Sequence, residues 1–293
     1  MSYRYEHLTV SNDNINTKSR LDVDATYVVH HVHKVGNTTR LDALRKQLTV
    51  FAVCKNVHIL CYTSNEPLVF WMSTVFKDAD QRKYDKVLVL EDRCILSDSL
   101  TERSAGHVNQ TLLKHQSECF VYRLGCVPFV MWSPENRTSY RVLGIGTYAC
   151  IYSKALRQKL LADNNVQNFD VFLTFHAVNY TYAIPLAFPA PLLENTPSVG
   201  CIDGLFYFIE NVLDIISLQR NHNFIYTGCY TLARNSFSLL FFLLIALTFL
   251  YVYRKNVYTF LSGKVIYGHR VGGLLDRLAF MKKSLGITPP SVP

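Results

Sequence analysis

Hydrophobic positions in the first third of the chain alternate between short apolar runs and stretches with a helical repeat. Residues 26–32 (TYVVHHV) read as a strand. Asn37 is placed to cap a helix running to about residue 48, in which Leu41, Leu44 and Leu48 share a face. Residues 57–62 (VHILCY) form a second strand, and a helix over about 67–77 follows, with Pro67 tolerated in its first turn. Residues 86–90 (KVLVL) are almost wholly apolar, as in a strand buried on both faces. This β-α-β-α-β order predicts a parallel sheet with right-handed crossovers.

Further on the pattern is mixed. Residues 97–116 are polar and predicted helical in part, 118–124 and 140–152 read as strands, and 154–162 as a helix through Leu156, Leu160 and Leu161. Residues 180–186 read as a late strand, a proline-rich loop covers 185–197, and 203–218 fit an amphipathic helix. The expected organisation is a flexible polar segment (1–25), one domain (26–200), an amphipathic connector (201–235), a membrane helix (236–253) and a basic tail (254–293).

The segment 236–253, SFSLLFFLLIALTFLYVY, is eighteen residues without a charge. At ~1.5 Å per residue it spans ~27 Å, close to a hydrocarbon core of ~30 Å. Tyr251, Tyr253 and then Arg254-Lys255 suit a membrane interface. The tail holds seven basic residues and one acid, so six of the eight net positive charges lie beyond residue 253. That leaves the domain without a basic groove and removes the main argument for nucleic-acid binding. Positive-inside counting favours a cytosolic tail, whereas the polar N-terminus offers no signal peptide, so both topologies stay open. The expected setting is a single-pass protein of intracellular (ER/Golgi-type) or viral membranes. In the tail, Leu274, Leu275, Leu278 and Met281 share one face of a short helix that would suit an anionic membrane surface; a solvated basic tail is the alternative.

Sequons at Asn37, Asn109, Asn136 and Asn179 are candidate glycosylation sites. Eight cysteines precede residue 236 with no C-x-x-C pair, which argues against zinc and leaves disulfides and apolar core thiols as alternatives. Of His30, His31 and His33, only the last two share a strand face, a weak basis for a metal site. Gly144-x-Gly146 lacks the third glycine of a dinucleotide fingerprint, and Ser153 lacks a nucleophile-elbow setting.

The most informative stretch is Leu90-Glu91-Asp92-Arg93, where a buried strand ends in two carboxylates. Ligands of open α/β sheets bind outside the carboxyl ends of strands, and acids placed there can hold a divalent cation. VLVLEDR resembles the "LEDD" strand end of glycosyltransferase family 25, the lipopolysaccharide and procollagen galactosyltransferase type. Phe120 to Gly125 is similar to that family's "D-x-x-x-L-G", Gly146 to Ala155 to its "GT-x-A-Y-x-x-S-x-x-A", and Phe169 to Leu173 with Pro185 to Phe188 to its "D-x-x-L … P-L-x-x-Q". The match covers residues 26–197.

The resemblance implies a GT-A Rossmann-like α/β fold, a mostly parallel sheet flanked by helices, together with a nucleotide-sugar donor and Mn²⁺ or Mg²⁺. It implies a hexosyltransferase acting on a hydroxyl of a glycan, protein or lipid acceptor. Glu91 and Asp92 would meet the metal, Glu91, Asp92 and Arg93 the donor, and Asp170 would serve as general base. Arg93 stands where the family has its last acid, and the expected Gln after Pro185-Leu186 is missing. The alternative is therefore a catalytically inactive member with a structural or assembly role.

Overall fold

The computed structural model describes residues 3–9, 20–32, 37–51, 56–63, 66–134, 138–163, 166–189, 225–236 and 247–248. Its strands are β1 (Tyr3–Thr9), β2 (Ala25–His31), β3 (Asn56–Tyr62), β4 (Lys86–Glu91), β5 (Cys94–Leu96), β6 (Phe120–Arg123), β7 (Val127–Pro134), β8 (Ser139–Ile145), β9 (Ala149–Ser153), β10 (Val178–Tyr182) and β11 (Ala187–Pro189). Its helices are α1 (Asn37–Phe51), α2 (Leu68–Gln81), α3 (Glu102–Lys114), α4 (Lys154–Ala162), α5 (Phe169–His176) and α6 (residues 225–236).

Nine strands form one sheet in the order β1-β3-β2-β4-β9-β6-β10-β8-β7, while β5 and β11 pair separately. The β3-β2-β4 pairings are parallel, as the alternating pattern predicts, and β6-β10 is parallel as well. The other pairings are antiparallel, so the sheet is mixed rather than mostly parallel. The cause is local. The chain reaches β9 from β8 through only Gly146-Thr147-Tyr148, and without a crossover helix nothing forces a parallel entry.

Alternate strand residues feed two cores. Val28, Ile59, Leu88, Leu90 and Tyr122 pack with Leu41, Leu44 and Leu48 of α1 and with Val108 and Leu112 of α3. Tyr27, Val29, Val87, Val89 and Tyr152 face the opposite way, onto Trp71, Val75 and Phe76 of α2, Leu156 of α4 and Phe172 of α5. The helices after β2 and after β3 thus lie on opposite faces. This is what right-handed crossovers produce when β3 and β4 sit on either side of β2. Arg157 of α4, fully buried, ties α4 to α2 and to the sheet by pairing with Asp80 at 3.0 Å and donating to the carbonyls of Tyr84, Asp85 and Tyr152.

Within the expected polar lead-in, Tyr3–Thr9 forms an edge strand antiparallel to β3. Its period of two is carried by aromatic and charged residues instead of aliphatic ones. Tyr3 lies edge-on to Trp71 and Tyr5 edge-on to Tyr27, His7 meets His58, and on the other side Glu6 pairs with Arg45 of α1 at 2.8 Å. At the far end, Tyr230 of α6 hydrogen-bonds Thr181 at 2.9 Å and accepts from the Cys126 amide at 3.2 Å.

Among the described residues no helix is long and apolar enough to cross a membrane. The expected anchor lies outside them except for Ser236, Leu247 and Thr248, as do the 203–218 helix and the basic tail. The six described cysteines are free thiols, and Cys61, Cys94, Cys126 and Cys150 are buried, as the core-thiol alternative requires.

Candidate functional site at the carboxyl ends of the central strands

The chain runs from β2 outward to β3 and then returns to β4 on the other side of β2, so the order reverses between β2 and β4. Their carboxyl ends define the crevice in which sheets of this kind bind ligands. His30 near the end of β2 and Asp92 just past β4 meet there, with Nδ1 of His30 2.9 Å from Oδ2 of Asp92. The Asp92 amide donates to the Val29 carbonyl at 3.1 Å, which fixes the turn after β4 against β2.

Glu91, the last residue of β4, is held from two sides. Arg93 Nε donates to its Oε2 at 2.9 Å and Thr147 Oγ1 to its Oε1 at 3.1 Å. The side chains of Glu91, Asp92 and Arg93 keep 19%, 15% and 13% of their surface exposed, mostly buried yet still reached by solvent. Tyr62, at the end of β3, stacks on Trp71 with ring centroids 4.1 Å apart. Burial, followed by the charges of Asp92 and Glu91, pushes the Tyr62 hydroxyl well above its ordinary pKa, so this phenol is a neutral wall of the acidic corner.

A second cluster adjoins the first through the β8–β9 connection. Arg123, the last residue of β6 and fully buried, donates from Nη1 to the Gly146 carbonyl at 2.7 Å and to Asp170 Oδ1 at 2.9 Å, and from Nε to Asn179 Oδ1 at 3.1 Å. Burial works against its charge, but Asp170, by charge and hydrogen bond, together with the nearby Cys150 and Cys126 holds it above the usual guanidinium value. Asp170 lies in the first turn of α5, which Asn168 caps, and its Oδ1 also accepts from the Gly146 amide at 3.3 Å. Gly146 has φ +101°, and a Cβ there would press on the Tyr148 ring, so the bend linking the clusters requires glycine.

The residues marked by the sequence therefore fall into two joined groups: Glu91, Asp92 and Arg93 with His30 and Thr147, and Asp170 with Arg123 and Gly146. Asn109 uses its amide to hold the 20–22 segment, donating to the Arg20 carbonyl at 3.0 Å and accepting from the Asp22 amide at 2.8 Å. Asn179 donates to the carbonyls of Leu173 and Ala177. Asn37 opens α1, and Asn136 and His33 lie outside the described residues. The sequence did not single out His30 as the partner of Asp92, Thr147 as that of Glu91, or Arg123 at all. Only the charge of Arg123 at the end of a buried strand hinted at a buried pair.

The acid pair does not fit a divalent cation as it stands. Arg93 occupies an oxygen of Glu91 and cancels its charge, His30 engages Asp92, and among the described residues no three His, Cys, Asp or Glu side chains cluster to hold a metal.

Among solved structures, the chain is similar to A197 from STIV, at 10% identity and a TM-score of 0.36, over 61% of this chain and 98% of that one. It is also similar to a glycosyltransferase involved in the glycosylation of the major capsid of PBCV-1, at 13% identity and a TM-score of 0.30, over 52% of this chain and 74% of that one. No family model and no curated protein matches the chain. Function has to be read from the site's own residues.

Proposed function

We propose that this domain is a glycosyltransferase that binds a nucleotide sugar at the carboxyl ends of β2 and β4 and transfers a hexose to a hydroxyl acceptor. The observation that carries the reading is the convergence of segments far apart in the chain. Glu91 to Arg93, Gly146-Thr147, Arg123 and Asp170, which lie in the separate stretches that resemble family 25, form two hydrogen-bonded groups joined through the Gly146-Thr147 peptide, the first of them at the switch point between β2 and β4.

In this reading Asp92 and Glu91 face the donor, and Asp170 is the base. Arg123 and the Gly146 amide hold Oδ1 of Asp170, and Oδ2 has no protein partner among the described residues. As the acceptor oxygen bonds to the anomeric carbon, its proton passes to Asp170. The bond from that carbon to the donor phosphate breaks, and its electron pair leaves with the nucleoside diphosphate. The apolar 236–253 segment supports tethering to a membrane, tested by whether alkaline carbonate extracts the full chain.

The Arg93–Glu91 ion pair favours a second reading, an inactive relative that keeps the fold for binding or assembly. The two are separated by incubating the full chain with UDP- and GDP-hexoses and following nucleoside diphosphate release. Turnover that Asp92→Asn abolishes supports the transferase. Turnover unaffected by Asp92→Asn removes the site assignment, and no turnover with any donor favours the inactive relative.

A further inference from the structure

Helix α6 presents three sides. Tyr226, Tyr230 and Ala233 are buried against the domain, Tyr230 and Ala233 with Cys126, Met131 and Val142, and Tyr226 with Val127, Ile145 and Phe188. Thr227, Thr231, Arg234 and Asn235 form a polar side, and the last three are exposed. A second apolar stripe, Ile225, Cys229 and Leu232, borders the buried one at the i, i+4, i+7 spacing of one helix face. At ~100° per residue its centre lies about a quarter turn from that of the buried stripe. Ile225 and Cys229 are half-buried, and Leu232 is 69% exposed.

A single exposed leucine is ordinary on a protein surface. What gives this stripe a direction is where the chain goes next. Ser236, which ends α6 and continues the stripe, has its hydroxyl 3.3 Å from the Phe129 carbonyl of β7. It is also the first of the eighteen uncharged residues 236–253. A chain that enters a bilayer there leaves α6 no linker on which to stand off, because Leu232 is one turn, ~6 Å, from the point of entry. Arg234, exposed on the polar side two residues before that point, suits anionic headgroups.

We propose that α6 is an interfacial helix, whose Ile225, Cys229 and Leu232 stripe lies in the boundary between headgroups and acyl chains of a lipid bilayer. The domain is then held against the membrane through α6 instead of hanging from a loose tether. The proposal rests on the membrane reading of residues 236–253 and is independent of the transferase reading.

The test uses the full chain in vesicles of phosphatidylcholine and phosphatidylglycerol whose acyl chains carry bromine near the headgroup. Leu232→Trp and Thr231→Trp are each read as the difference from the parent chain, which has two tryptophans. Both positions are exposed, so neither substitution disturbs the core, and they stand at nearly the same height on different sides of α6. The Leu232→Trp signal is expected to lose at least about half its intensity in brominated lipid and little to aqueous iodide, with Thr231→Trp showing the reverse. Equal bromine quenching at the two positions, or iodide quenching of both with no bromine effect, overturns the proposal and leaves the tether in place. A Leu232→Trp signal that neither quencher reaches means that protein covers the stripe, either residues 203–218 or a second copy, and overturns it as well. Extraction of the chain from the vesicles by alkaline carbonate removes the tether and the proposal together.

Discussion

Arg123 is fully buried and bonded to Asp170 at 2.9 Å, while the Asp170 side chain keeps 22% of its surface exposed. One end of the pair is structure and the other is reached by solvent. The protein thereby fixes a carboxylate on a short helix to the end of a central strand, with the Gly146 backbone between them.

Arg123→Met takes the guanidinium from the Gly146 carbonyl and leaves the Asp170 carboxylate with only the Gly146 amide. Breaking a buried pair from one side costs about 3–5 kcal/mol, and a loss of that size is expected in urea unfolding. Asp170→Asn keeps an acceptor in place and is expected to cost roughly 1.5–3 kcal/mol, the size of one charge-assisted hydrogen bond. Equal losses from the two would show that the pair acts only as packing.

Gly146→Ala forces an alanine into a left-handed conformation and against the Tyr148 ring. A cost of about 1–3 kcal/mol is expected. Because the same bend carries Thr147 to Glu91, diphosphate affinity should fall with it. Thr147→Val should lower affinity while leaving thermal unfolding nearly unchanged, as calorimetry and a melting curve on the same samples would show.

His58 provides a pH dependence with a defined sign. It faces His7 of β1 (Nδ1 to Nδ1, 2.9 Å), the Tyr84 hydroxyl, the Tyr27 ring, and the charges of Asp78 on α2 and of Arg82 at its C-cap. Burial, then Arg82 and His7, lower its pKa from 6.5 to about 4. The unfolded chain therefore takes up a proton near 6.5 that the folded state refuses until about 4. This contribution is complete above the unfolded value and is lost as pH falls through that window. Unfolding free energy should drop by roughly 1–3 kcal/mol between neutral pH and pH 4.5, and His58→Gln should flatten the profile.

Asn179 should carry no glycan even if its side of the membrane is luminal. Its Nδ2 is used by the Leu173 and Ala177 carbonyls and its Oδ1 by Arg123. Glycosidase-sensitive mass on Asn136 but none on Asn179 is the expected pattern for a luminal domain. Occupied Asn179 would mean that modification precedes folding of β10.

Burial raises the Cys94, Cys126 and Cys150 thiols, the last to about 12. Alkylation at pH 8 should leave these three unlabelled in the native protein, with or without reductant, and label them in denaturant. Labelling of any of the three in the native protein would show that it is open to solvent.

Elements with a strong local pattern were legible. The helix read at 154–162 is α4 residue for residue, and the apolar run ending at Glu91 is the central strand β4. Strand β7 was missed because prolines and two bulges break its alternation, and β1 because its buried face is aromatic and histidine-bearing, not aliphatic. The acid pair was legible as the end of a buried strand, but its partners were not. His30 lies 62 residues from Asp92 and Arg123 lies 47 from Asp170. Contacts over such separations are fixed by strand order, which no local periodicity encodes.

The edge strand β1 also bears on how the protein should be handled. Beneath it, β3 carries a run of five consecutive buried residues, His58 among them. Trimming the first nine residues as a dispensable leader would leave that apolar strand with open amides and carbonyls along one side, ready to pair with another chain. The shortened protein would be expected to precipitate or self-associate during purification, and an N-terminal tag is better joined through a spacer long enough to leave Tyr3 in the sheet.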